Sequence, residues 1–175
     1  MAKEIRIDSE RVFSGKILDL RVDRVLLENG KETVREVVDH RPAVVIVPVD
    51  ESDNVIMIRQ FRYPVGNTIL EVPAGIVEIS ESPTECAQRE LQEEIGYISR
   101  DMRTMGGFWA SPGFCNEYLY AYIAKDLVPS KLQPDEDENI EIQKIPLSII
   151  PKLIRCGEIE DSKSIATLLM ATTLF

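Results

Sequence analysis

The chain has 175 residues, 44% of them hydrophobic, and a formal net charge of −10. That length allows one core of ordinary size. The negative balance excludes the basic footprint of a nucleic-acid or anionic-membrane partner, so a phosphate-bearing ligand would need local arginines or metal ions to overcome the repulsive field. Cys86, Cys115 and Cys156 are odd in number, widely spaced and without a CxxC pair, which predicts free thiols in a reducing cytosol. The polar start MAKEIRID gives no signal for secretion, and no apolar run approaches membrane-spanning length, so a cytoplasmic location is expected.

From the amino terminus, ILDLRVDRVLLENGKETVREVVDH alternates apolar and polar residues on both sides of Asn29-Gly30, a strong hairpin signal. Residues 1–40 are therefore expected to form a hairpin-like unit, a small antiparallel sheet ahead of a main domain over 41–175. AVVIVPV reads as a buried strand, and NVIMIRQFR and TILEVPAG as strands joined by the turn YPVGN. After an acidic segment come a strand near MRTMGGFW, the loop ASPGFCNE and the alternating strand YLYAYIA. KDLVPSKLQPDEDEN is polar with two prolines and reads as a long loop; IEIQKIPL is a further strand. Two helices close the chain, one over 149–155 ended by Gly157 and one over 162–172 opened by Asp161. Strands, helix, strands and then helices argue for an α+β fold with a mixed sheet between helices.

The acidic segment is GIVEISESPTECAQRELQEEIGY, residues 75–97. Ser82 is placed to N-cap a helix, with Pro83 at its first position, Glu85 completing a capping box and Gly96 as a left-handed stop. At 100° per residue, Ala87, Leu91 and Ile95 form one apolar stripe with Thr84 among them, and Glu90, Glu93 and Glu94 form a separate stripe at i, i+3 and i+4. Like charges so spaced repel by roughly 0.2–0.5 kcal/mol per pair in water. For an arbitrary helix such a stripe is a solvated face.

Here the spacing is more specific. Gly75, five residues, Glu81, seven residues, then Arg89-Glu90-Leu91-Gln92-Glu93-Glu94-Ile95-Gly96-Tyr97 resembles the Nudix box, G-x5-E-x7-R-E-U-x-E-E-x-G-U, at every fixed position. The last apolar position holds Tyr97 where an aliphatic residue is more usual, and Ser80 stands where glycine is frequent. The resemblance implies a Nudix α/β/α sandwich and hydrolysis of a nucleoside diphosphate linked to another group. Carboxylates at this spacing suit Mg²⁺, which takes hard oxygen ligands, and a cluster of ions can bridge a pyrophosphate and activate water. By resemblance, two or three Mg²⁺ or Mn²⁺ ions would be held by Glu90, Glu94 and the backbone carbonyl of Ala74, with Glu93 adding to a second or third ion. Arg89 would orient a glutamate of the box, Glu81, rather than touch substrate.

The flanks resemble one subgroup of the family, the ADP-ribose pyrophosphatases, over about residues 10 to 172. In RQFRYPVGNTILEVPAG, Arg62 would reach the diphosphate and Glu71 would lie in the approach to the box. Pro112, in SPGF, matches a proline position of the subgroup and with Gly113 would bind substrate, although Ser-Pro-Gly is also a common turn. In PDEDENIE, Glu136 would act as general base and Glu138 would reach a metal; register among Asp135, Glu136, Asp137 and Glu138 stays open, with Glu93 as the other candidate base. His40, the single histidine, has the look of a structural residue. The resemblance further implies a homodimer that exchanges its amino-terminal sheet, in which Arg35 would reach the partner's site. The implied reaction is hydrolysis of ADP-ribose to AMP and ribose 5-phosphate; the alternatives are another nucleotide-sugar diphosphatase, a non-catalytic metabolite-binding module, or a plain interaction domain.

Overall fold

Ala43–Pro48 is an unbroken run of apolar residues, four of its six positions β-branched, and in the computed structural model it is strand β4, buried at every position. The structure describes residues 3–133 and 139–174. A run buried on both faces needs a layer on each. One is supplied by helix α1, Pro83–Glu90, and the other by helix α3, Ser162–Leu174; both pack on β4.

Strands β1 (Ile5–Ser14), β2 (Leu18–Leu26) and β3 (Glu32–His40) form an antiparallel sheet in chain order. The expected hairpin pairs Leu26 with Glu32 around Gly30, whose φ of 77° is the left-handed value the turn needs. β1 was not anticipated as a separate strand, and every position on it is exposed. Contacts divide the chain into two units. The smaller comprises residues 1–42 and 109–118, and the larger comprises 43–108 and 119–175. Within the smaller unit the loop after Trp109 is stapled to β3: Val38 N–H donates to Phe114 O at 2.7 Å and His40 N–H to Asn116 Oδ1 at 2.8 Å. His40 Nδ1 lies 2.6 Å from its neighbour's carbonyl at Arg41.

The described residues of the larger unit form two sheets where the sequence suggested one. β7 (Ala74–Ile76), β4, β9 (Tyr118–Pro129) and β8 (Tyr97–Trp109) form a four-stranded sheet in which β4 runs antiparallel to β7 and parallel to β9. β10 (Ile140–Pro146), β5 (Asn54–Arg62) and β6 (Asn67–Glu71) form an antiparallel sheet of three. β9 runs on through Lys125–Pro129, a segment read from its polarity as the start of a loop. Its outer half is only partly buried, so polar side chains can face out while the backbone continues the ladder. Helix α2, Ile150–Arg155, follows β10 and ends before Gly157, as anticipated.

One cluster joins the sheets to α1. Val44 and Ile46 of β4, Ile56 and Ile58 of β5, and Tyr122 of β9 meet Cys86, Ala87, Leu91 and Ile95. Burying side chains such as Leu91 and Ile95 stabilises by about 1.5–3 kcal/mol each. This packing fixes which side of the helix faces the sheets, and so which side remains for the glutamates. Among the described residues no helix is long and apolar enough to cross a membrane.

Candidate active site

The start of α1 is built as its sequence dictates. Ser82 Oγ accepts from Glu85 N–H at 3.3 Å, and the Glu85 carboxylate accepts from Ser82 N–H at 2.8 Å, closing the capping box with Pro83 at the first turn. The other end differs from a straight helix. Leu91–Ile95 form a π-helical turn that ends with Gly96 N–H donating to Leu91 O, Gly96 standing at φ 77°. A π turn carries more residues per turn than 3.6, and such turns gather at functional sites. On this turn Glu94 is buried while Glu93 stays more open.

Arg89 organises the carboxylates. Its Nη2 donates to Glu81 Oε1 at 2.7 Å and its Nε to Glu81 Oε2 at 3.2 Å, while Nη1 reaches Glu90 Oε1 at 2.6 Å and Glu93 Oε2 at 2.8 Å. One guanidinium thus faces three carboxylates, and its pKa is raised, foremost by the hydrogen bonds it donates to Glu81. The same contact holds the Glu81 carboxyl at about 2. A carboxyl depressed in the folded state contributes stability that is complete above its ordinary value near 4.5 and is lost as pH falls through about 2. Glu81→Gln should therefore be less stable than the parent at pH 7, and the gap should close between about pH 4.5 and 2; unfolding curves across that range check it, and a constant gap would assign the loss to packing.

Gly75 and Ala74 complete the arrangement. Ala74, within the stretch TILEVPAG read as one strand, lies instead on the separate strand β7 paired with Val45, and its N–H donates to Glu94 Oε2 at 3.1 Å. A Cβ added at Gly75 would stand 1.8 Å from Glu90 Oε1 and 2.5 Å from its Oε2. The first residue of the box is glycine because the Glu90 carboxylate occupies the space where a side chain would begin. Burial raises the pKa of the Cys86 thiol, which lies beneath the same turn.

On the neighbouring sheet, Arg62 Nε and Nη2 donate to the two oxygens of Glu71 at 2.7 and 2.8 Å. This bond first, and beyond it the charges of Glu71, Glu94 and Asp161, raise the Arg62 pKa. Glu71 has no exposed surface and is also bonded by Lys163, a residue the sequence reading did not single out; the run Asp161-Ser162-Lys163 was its only trace. In the smaller unit, Arg35 is paired with Glu4 through Nε at 3.0 Å and Nη2 at 2.6 Å, and Pro112 and Gly113 are exposed in a turn. Glu136 and Glu138 lie outside the described residues.

A cavity of about 190 Å³ opens beside Glu93, Glu94, Gly96, Lys131, Ile140 and Ile142. Two larger ones, of about 340 and 350 Å³, lie beside Asp50 and Lys144 and beside Arg59 and Leu153. Of the three, the smallest borders the carboxylates of the box and is the candidate site. Among the described residues no three acidic, cysteine or histidine side chains form a ready cation cluster. The donor set nevertheless fits a hard divalent cation: Glu90 and Glu94 are nearly buried carboxylates held by a glycine cradle and a backbone N–H.

A mixed α/β/α sandwich that carries a glycine-seated, arginine-clamped glutamate stripe on one helix defines the class. The chain belongs to the Nudix family: residues 39–168 match the NUDIX domain, and residues 4–38 match the nucleoside diphosphate sugar hydrolase N-terminal domain. It is 40% identical to the ADP-ribose pyrophosphatase of Bacillus subtilis (strain 168), over 93% of this chain and 89% of that one. It is 36% identical to the methanol dehydrogenase activator of Bacillus methanolicus, with the same coverage. The crystal structure of an ADP compounds hydrolase superposes with a TM-score of 0.89 at 25% identity, covering 97% of this chain and 92% of the other.

Proposed function

We propose that this protein hydrolyses ADP-ribose to AMP and ribose 5-phosphate. The observation that carries the reading is the glutamate set seated on Gly75 and clamped by Arg89, outside the apolar cluster that joins helix and sheets. The names of its relatives support the choice of an adenosine diphosphate substrate.

A divalent cation, Mg²⁺ or Mn²⁺ in two or three sites held by Glu90, Glu94, the Ala74 carbonyl, Glu93 and Glu138, supplies charge neutralisation and a more acidic water when bound. Arg62 binds the diphosphate, its guanidinium set by Glu71, which acts through it because no part of Glu71 is exposed. Arg35 would reach the partner's site and help hold substrate there, and Pro112 and Gly113 are further substrate-binding residues in this reading. A water oxygen bonds to one phosphorus, the bridging P–O bond breaks toward the other phosphate, and the water's proton passes to a carboxylate. Glu136 is the assigned base and Glu93 the alternative. Glu136→Gln should lower kcat by ~10²–10⁴ with little change in metal requirement, and Asp135→Asn and Asp137→Asn serve as register controls; wild-type rates in Glu136→Gln would move the role to Glu93.

A panel of ADP-ribose, ADP-glucose, GDP-mannose and diadenosine polyphosphates, with products separated by chromatography, tests the substrate. Fastest cleavage of ADP-ribose to AMP is the expected result, and preference for GDP-mannose or no cleavage would overturn it. The exposed apolar residues Ile5, Ile7, Val12 and Phe13 of β1 support a homodimer joined through the amino-terminal sheet. Light scattering at micromolar concentration should give twice the 19.8 kDa chain mass; a monomer mass would remove the dimer and any cross-subunit role of Arg35.

A further inference from the structure

Helix α3 opens on Asp161-Ser162-Lys163-Ser164, and this turn is bonded to the strand that leads into the box. Asp161 Oδ2 accepts from Ser164 N–H at 2.9 Å, from Ser164 Oγ at 2.5 Å and from Lys163 Nζ at 2.9 Å. Ser164 Oγ accepts in turn from Val72 N–H at 2.9 Å, two residues before Ala74. Lys163 Nζ donates to Glu71 Oε2, across 92 residues of sequence, while Arg62 holds both oxygens of the same carboxylate.

Two acids and two bases thus alternate in one chain, Asp161, Lys163, Glu71 and Arg62. Their exposures differ. Glu71 has none, the Lys163 side chain keeps 18%, and the Arg62 side chain keeps 37%. Only the arginine end of the chain is open enough to meet a ligand. If Arg62 were the sole partner of a wholly buried carboxylate, its charge would be spent there, and a diphosphate arriving at a protein of net charge −10 would meet no local surplus. Lys163 shares Glu71 from behind and leaves part of the guanidinium's field for the ligand. Asp161 draws on Lys163 from the other side and weakens that effect.

We propose that Lys163 is a positioning residue that sets, through Glu71, the charge Arg62 offers to an anionic substrate, with Asp161 opposing it. The proposal rests on the reading of Arg62 as the diphosphate contact. It predicts opposite signs for two neighbouring substitutions. Lys163→Met should weaken binding of ADP-ribose on the order of tenfold, the effect of one charge a few ångströms away at intermediate dielectric. Asp161→Asn should strengthen it, because asparagine caps a helix as well as aspartate does and only the charge is lost. Lys163→Arg should recover most of the loss.

The measurement is calorimetric titration of ADP-ribose into the full chain in EDTA, where metal affinity plays no part, followed by steady-state kinetics with metal. The expected kinetic result is a shift in KM with kcat nearly unchanged. If Lys163→Met and Asp161→Asn both weaken binding, or neither changes it, the turn is only a tether between α3 and β6 and the proposal fails. Should Lys163→Met not fold, the sign of Asp161→Asn decides alone. A parent protein that neither binds nor cleaves ADP-ribose overturns this proposal together with the proposed function. A parent that cleaves it, with variants of equal sign, overturns this one only.

Discussion

Gly75→Ala is expected to abolish most activity while leaving the fold intact. The added Cβ would stand 1.8 to 2.5 Å from three atoms of the Glu90 carboxyl group, far inside contact distance. What must yield is the far end of a flexible side chain rather than backbone, so the carboxylate swings away at little cost. Gly75 is not among the residues of positive φ, so alanine suffers no backbone strain there; loss of glycine's freedom in the unfolded chain offsets part of the crowding. The stability change should stay below about 1 kcal/mol. Displacing a positioned catalytic group by an ångström or more costs on the order of 10²-fold in rate. Thermal unfolding and kcat on the same preparation check the pair of expectations. A large loss of stability would mean that Gly75 serves packing, and an unchanged rate would mean that Glu90 is not part of the site.

Glu94→Gln is expected to lower turnover by ~10²–10³, as the loss of one preorganised charged contact does, and to lower stability far less. The carboxamide oxygen can still accept from Ala74 N–H, so the link between the π turn and β7 survives. The negative charge does not. Its attraction for Arg62 goes with it, so stability should fall only slightly beside the fall in turnover. Titration with Mg²⁺ should show the matching loss of metal affinity. Retention of most of the parent activity at saturating Mg²⁺ would show that the stripe is not the metal site.

Much of the helix at the centre of this site was legible beforehand. Ser82, Pro83, Glu85 and Gly96 act locally, through bonds and φ values within a few residues, and local chemistry reads directly from sequence. The hairpin at Gly30 was legible for the same reason. The extension of β9 through Lys125–Pro129 was not, because a half-exposed strand carries the polarity of a loop. The division into two sheets was also hidden, since pairing of β10 with β5 and of β9 with β4 joins segments remote along the chain.

By itself, then, the sequence determined which residues are candidates for the site and at what spacing: Gly75, Glu81, Arg89, Glu90, Glu93 and Glu94 are constrained one against another within a single segment. Only the tertiary structure decided what each one does there. That Gly75 makes room for Glu90, that Arg89 divides itself among three carboxylates, and that the box ends in a π turn follow from β7 and α1 being packed on one sheet. The chain of charges from Asp161 to Arg62 depends on folding most of all. A buried carboxylate finds its partners by proximity in space, and proximity between residues 92 positions apart is set by the packing of α3 on the sheets rather than by any local pattern.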